Sequence, residues 1–571
     1  MSEPIRRVPV EIDAQGQVKA QSVTSPIRFG VRAGVGVPPS KIIPIVFVPG
    51  IMGSNLKTKA SKGKPSEIAW RPPNGSVEGY NQAKEWEKRS PKLRQALLDP
   101  DNTEIDDGGD IEVGWFASEE QYRARGWGEI HWDSYGDWLL NLEEGLNRTF
   151  TRGATPDRRL IAAHWRTVMN ADRKGWDAAD MPALSEAELE KSAQYHYPVY
   201  ALGYNWLRCN SEAAARLAQK IDSWIAEWKA RPGYQCDKVI LISHSMGGLV
   251  CRAYARQHPD KVLGVIHGVQ PAVGAPLAYR RMACGTETSS PNNGKIDDLK
   301  MDYFAMIAGK TPAETVPVMG VSPGPLELLP NHLHPPGWLK ALVKEPSSPT
   351  SKEMLALPKA DPYDEIYRDM SSWYRLIDPA LLDPGKKYSG YLSQRQMKGA
   401  TAKCIEAIDK AERFHKEVIS DYYHPNTYAF CGQDAHHLSY GTVRWAGNWH
   451  RADSMDEATL RQGKPKSSNT PGKVIADFGS SAGASARHAH PAQPTGNIAP
   501  QPKANTSIEF QIQPQDAAGD GTVNWQSGEA PAGKVKRLFR TTGYDHQGSY
   551  NDTNMRQLTF HLICKIVQGA G

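Results

Sequence analysis

Three short stretches hold residues that could act together as a nucleophile, a base and an orienting acid. The hexapeptide Ser243-His244-Ser245-Met246-Gly247-Gly248 departs from the nucleophile-elbow signature Gly-x-Ser-x-Gly only at its first position, where a serine stands for glycine. Ser245 is the expected nucleophile. It follows an apolar run, 238–242 (KVILI), and opens the segment GGLVCRAYARQHPD, in which Leu249, Val250, Ala253 and Tyr254 fall at helical spacing before the break at Pro259. Small flanking residues permit the tight turn. The start of a helix supplies free N–H groups and a positive field where an oxyanion forms. Ser243, two residues earlier at the strand's end, replaces the small first residue and is not expected to attack.

Where such an elbow carries the nucleophile, an acid and then a histidine follow it in the chain. Gly519-Asp520-Gly521-Thr522-Val523 is a glycine-flanked turn able to lift a carboxylate off a strand end, which makes Asp520 the expected orienting acid and Asp516 its nearest rival. Tyr544-Asp545-His546-Gln547-Gly548 follows the last predicted strand, so His546 is the expected general base and Asp545 a bystander. The oxyanion hole is expected to pair the Met246 amide with one from the loop Val48-Pro49-Gly50-Ile51-Met52-Gly53-Ser54, either Ile51 or Met52. Glycines in that loop allow the backbone angles that turn N–H groups toward a reacting carbonyl.

These groups need a frame. Residues 42–49 (IIPIVFVP), 238–242 (KVILI) and 262–269 (VLGVIHGV) are short continuous apolar runs, as expected of strands covered on both faces. Residues 426–431 (NTYAFC) and 535–541 (VKRLFRT) read as further strands, and 553–567 as a closing helix. Residues 211–229 (SEAAARLAQKIDSWIAEWK) form an amphipathic helix with a serine cap. The alternation predicts an α/β fold, a mostly parallel doubly wound sheet with large cap or lid insertions. Residues 1–56, 196–281 and 419–571 are assigned to the core. Residues 57–195 and 282–418 are assigned to insertions, and 478–505, poor in bulky apolar residues, to a flexible loop. Within the second insertion, 301–307 (MDYFAMI) and 326–343 (LELLPNHLHPPGWLKALV) fit either a packed cap or a lid that touches a membrane.

Composition narrows the partners. Lysine and arginine exceed aspartate and glutamate by 68 to 63, too little to argue for nucleic acid. No run of about eighteen apolar residues could span a bilayer. The N-terminus lacks the apolar stretch of a secretory signal, so synthesis in the cytoplasm without Sec export is expected. Seven scattered cysteines are read as free thiols. The acidic turn 101–110 (DNTEIDDGGD) lacks the spacing of a calcium-binding loop and is read as solvated. Chemistry by this triad requires neither metal nor cofactor.

The blocks FVPGIMGSNL (47–56), ALGYNWLR (201–208), SHSMGGLV, VGAPLA (273–278), SPGPLELLPN (322–331) and GDGTV occur in the order found in the lecithin:cholesterol acyltransferase and PGAP1-like branch of α/β-hydrolases, which the chain resembles. Within that branch it is most similar to the PGAP1-like group of type VI secretion lipase effectors. The resemblance implies phospholipase activity against membrane phospholipids of a rival cell and delivery to its periplasm or to host membranes. It also implies a cognate immunity protein, contact with a component of the secretion apparatus, and Ser245, Asp520 and His546 as the triad. Two other readings stay open: a different acyl-ester hydrolase or acyltransferase, such as a neutral-lipid lipase or GPI deacylase, and a catalytically silent binding module.

Overall fold

The computed structural model describes residues 5–570 apart from 9, 22–25, 27, 29–31, 35–36, 62, 73–75, 153–158, 451–453, 467–468 and 480–506. Six strands make the central sheet: β1 (Ile45–Val48), β2 (Val199–Ala201), β3 (Val239–His244), β4 (Val262–Gly268), β5 (Thr427–Gly432) and β6 (Arg537–Thr541). Their spatial order is β2-β1-β3-β4-β5-β6, and every neighbouring pair is parallel. Successive side chains of a strand point to opposite faces. Ile45, Phe47, Ile240, Ile242 and Ile266 accordingly enter one core, while Val46, Val48, Val239, Leu241 and Val265 enter another. A strand buried on both sides reads as an unbroken apolar run, and that is how β1, β3 and β4 appear in the sequence.

Helices α1 (Trp132–Leu146) and α4 (Thr553–Val567) close the first core, and α2 (Asn210–Lys229) and α3 (Gly247–Gln257) close the second. The start of α2 differs from the expected serine cap. Its N-cap is Cys209, whose side chain makes no capping bond. The Asn210 N–H instead donates to the Glu327 carboxyl group at 2.9 Å. Burial pushes the Glu327 acid up to about 8, so it caps α2 as a hydrogen-bond acceptor, and a group brought from so far along the chain leaves no local signature.

Between β4 and β6 the chain also builds a second six-stranded sheet. Its order is Lys352–Leu357, Leu339–Lys344, Val443–Asn448, Ser507–Ile512, Lys473–Asp477 and Lys464–Lys466. It covers a third core containing Trp338, Trp373, Trp445 and Phe510, with Trp373 and Phe510 stacked at 4.0 Å. Leu326, Leu329, Trp338, Leu339, Ala341 and Val343 are buried, so most of the stretch 326–343 is packed into the molecule, while Leu333 is exposed. Residues 301–307 lie on the helix Lys295–Ala308, which leaves Ile296, Leu299 and Phe304 exposed. Arg94 ties this helix to Ser76–Glu87 by donating to the carbonyls of Met306, Ile307 and Trp86. The loop expected at 478–505 lies, from 480 onward, outside the described residues. Among the described residues no helix is long and apolar enough to cross a membrane.

Candidate active site

Ser245 stands between β3 and α3 with φ of +54°, a conformation disfavoured for any residue with a side chain. Strain of this kind persists only where the surroundings enforce it. Here the Ser245 N–H donates to Gly268 O at 3.0 Å, pinning the elbow to the end of β4. A Cβ on Gly247 would lie 2.2 Å from the Val48 carbonyl oxygen, so only glycine lets α3 start this close to β1. Ser243 has a different environment. The β3–β4 register sets it beside His267, and its Oγ shares a 2.8 Å hydrogen bond with His267 Nδ1. Both side chains are buried. Burial pushes the His267 ring down to about 3, keeping it neutral. Serine in place of glycine is thus occupied beneath the elbow by its bond to His267.

Ser245 Oγ lies 2.8 Å from His546 Nε2, and His546 Nδ1 lies 2.8 Å from Asp520 Oδ2. Asp520 is 1% exposed. Its other oxygen accepts the N–H groups of Thr522 at 3.0 Å and Val523 at 2.7 Å, and its carbonyl accepts the His546 N–H at 2.8 Å. The glycine-flanked turn therefore holds the carboxylate by its own backbone. Asp516 is engaged elsewhere, accepting from Gly441 N at 2.8 Å and Thr442 N at 3.1 Å. Asp545 is exposed and accepts from Gly548 N at 2.6 Å within its own turn.

Opposite α3 stands the loop after β1. A Cβ on Gly50 would lie 2.9 Å from both Ser245 Cβ and His244 Nδ1, so this loop abuts the elbow. Gly53 N donates to Gly50 O at 3.1 Å, and Met52 has φ of +63°. Ile51 and Met52 are half-buried on this turn, whereas Met246 is fully buried at the start of α3, where opening N–H groups have no partner inside the helix. Tyr204 Oη donates to Pro49 O at 2.9 Å and Trp70 Nε1 to Met52 O at 2.7 Å. These supports, like His267, escaped sequence reasoning because each acts across long chain separations. Tyr204 alone left a signal, as part of the block ALGYNWLR.

Several carboxylates of the acidic turn face cations. Asp101 pairs with Lys403 at 2.7 Å, Asp106 with Arg71 Nε at 2.7 Å, and Asp107 with Lys57 at 3.9 Å. Among the described residues no group of His, Cys, Asp and Glu is arranged to hold a metal ion.

Residues 208–281, which contain α2, β3, the elbow and β4, match the family model of the alpha/beta hydrolase fold. No curated protein matches the chain. Among solved structures it resembles a chain in the crystal structure of the Tle4–Tli4 complex, with a TM-score of 0.69 and 29% identity, over 93% of this chain and 99% of that one. The chain has the alpha/beta hydrolase fold, and over nearly its whole length it resembles a chain of the Tle4–Tli4 complex.

Proposed function

We propose that the protein is a serine esterase that cleaves acyl esters of membrane phospholipids and serves as an antibacterial effector. The observation that carries this reading is the continuous line of 2.8 Å contacts from Ser245 Oγ through His546 to Asp520. Ser245 attacks the ester carbonyl while His546 Nε2 takes its proton, and Asp520 holds the ring in the tautomer that can accept at Nε2. The Met246 amide and that of Ile51 or Met52 receive the oxyanion. His546 then protonates the leaving alcohol, and water, activated by the same ring, releases the fatty acid from the acyl-enzyme.

Exposed Ile296, Leu299 and Phe304 on one helix of an insertion support a surface that meets lipid. The similar chain was crystallised in a Tle4–Tli4 complex, which supports a cognate immunity protein for this chain and delivery outside the producing cell. The test is expression of the chain in the periplasm and in the cytosol beside Ser245→Ala. Periplasmic wild type is expected to be toxic and to release lysophospholipid, and Ser245→Ala to do neither. Toxicity retained by Ser245→Ala, or fatty acid released from neutral lipid with no lysophospholipid, would overturn the reading.

A further inference from the structure

His244 and Tyr135 lie behind the three catalytic segments. His244 Nε2 is 2.8 Å from the carbonyl oxygen of His546, an atom that can only accept, so Nε2 carries the proton. Burial, with His546 adding to it, pushes the His244 ring down to about 3, which leaves Nδ1 unprotonated. Nδ1 therefore accepts, and the Tyr135 hydroxyl, 3.0 Å away, donates. The same hydroxyl oxygen accepts the Gly50 N–H at 3.4 Å. One directional chain thus runs from the oxyanion loop (Gly50) through Tyr135 and His244 to the backbone of the base (His546). Tyr135 comes from α1, in the stretch between β1 and β2, and its ring is fixed 5.1 Å from Phe47 and 5.6 Å from His244. Both residues are about 1% exposed, so the chain is shielded from water.

We propose that Tyr135 and His244 are positioning residues that hold the oxyanion loop and the His546 backbone at a fixed separation across Ser245. The inference rests on the hydrolase reading above. Neither residue touches substrate, so their loss acts on kcat, through misplaced catalytic groups, and leaves KM for a small ester unchanged.

The test uses the full chain with a soluble short-chain p-nitrophenyl ester and a fluorophosphonate probe. Tyr135→Phe keeps the ring and removes the hydroxyl. His244→Phe keeps a buried ring and removes both bonds, whereas His244→Gln restores an N–H for the His546 carbonyl. Tyr135→Phe and His244→Phe are each expected to lower kcat about tenfold at unchanged KM, with a matching fall in labelling rate. His244→Gln should regain most of that loss, and the double variant should be no worse than His244→Phe alone, since both cut one chain. Additive losses, a change confined to KM, or kcat within twofold of wild type in both single variants would overturn the proposal. If His244→Phe fails to fold by thermal melting, Tyr135→Phe decides alone on the same criteria. Wild type that neither labels nor hydrolyses any ester would instead defeat the parent reading.

Discussion

Gly50→Ala isolates the contact between the loop after β1 and the elbow. Gly50 does not occupy the left-handed region, so alanine brings no backbone strain there and its effect is purely steric. The added methyl would sit 2.9 Å from Ser245 Cβ and His244 Nδ1, against an ordinary carbon contact of about 3.5–4.0 Å. Both neighbours are held, Ser245 by its bond to Gly268 O and His244 by bonds at each ring nitrogen. The loop must therefore retreat by roughly 0.5–1 Å. A displacement of about 1 Å at a reacting centre costs on the order of a hundredfold in rate, or ~2.7 kcal/mol of transition-state stabilisation. The expected outcome is a kcat lower by one to two orders of magnitude on a soluble ester, a parallel fall in fluorophosphonate labelling, and a thermal melt close to wild type. Gly79→Ala, where a Cβ meets nothing within 4 Å, provides the control with unchanged kcat. A Gly50→Ala enzyme with full kcat and full labelling rate would show that the loop does not press on the nucleophile.

Three further outcomes can be measured. Ser243→Ala should leave kcat within a few-fold of wild type but destabilise the fold by about 1–3 kcal/mol, because His267 loses its buried partner; an unchanged urea midpoint would contradict this. Asp520→Asn should lower kcat by roughly 10⁴ by favouring the wrong His546 tautomer, while Asp545→Asn, removing an exposed turn bond, should stay within about twofold, and equal losses would refute the assignment of the acid. Burial pushes His196, His244 and His267 each down to about 3. Their neutral forms are native, whereas the unfolded chain protonates near pH ~6.5. The stability they contribute is fully present above about pH 6.5 and is lost as pH falls toward 3, by roughly 2 kcal/mol per histidine at pH 5. Urea midpoints at pH 7.5 and pH 5 read this, and equal midpoints would count against it.

Legibility in the sequence followed burial. β1, β3 and β4 are covered on both faces and announce themselves as apolar runs, and the small residues around Ser245 mark the turn between β3 and α3. β2 has only three residues, Val199–Ala201, behind Pro198, too short for any periodicity. The second sheet was hidden for another reason. Lys464–Lys466 and Lys473–Asp477 are short and only partly buried, and the hairpin they form joins the sheet only through Ser507–Ile512, across a long stretch of chain. Ser243 shows the same limit at a single position. Its fate depends on the register that puts it opposite His267, and register is a property of two strands together. The Glu327 side chain that caps α2 likewise belongs to a segment with no local link to that helix.

The sheet order carries a consequence for the time course of synthesis. β6 is an edge strand and follows the other five in the chain, and Asp520 and His546 flank it, whereas β1 to β4 and the elbow are all synthesised by residue 268. A nascent chain of that length holds Ser245 and the Gly50 loop but no His546. Its hydroxyl is then no more nucleophilic than that of any other serine. On the proposed function, reactivity has to wait until β6 and the residues after it are made, when the edge strand adds to β5 and brings the imidazole over the elbow.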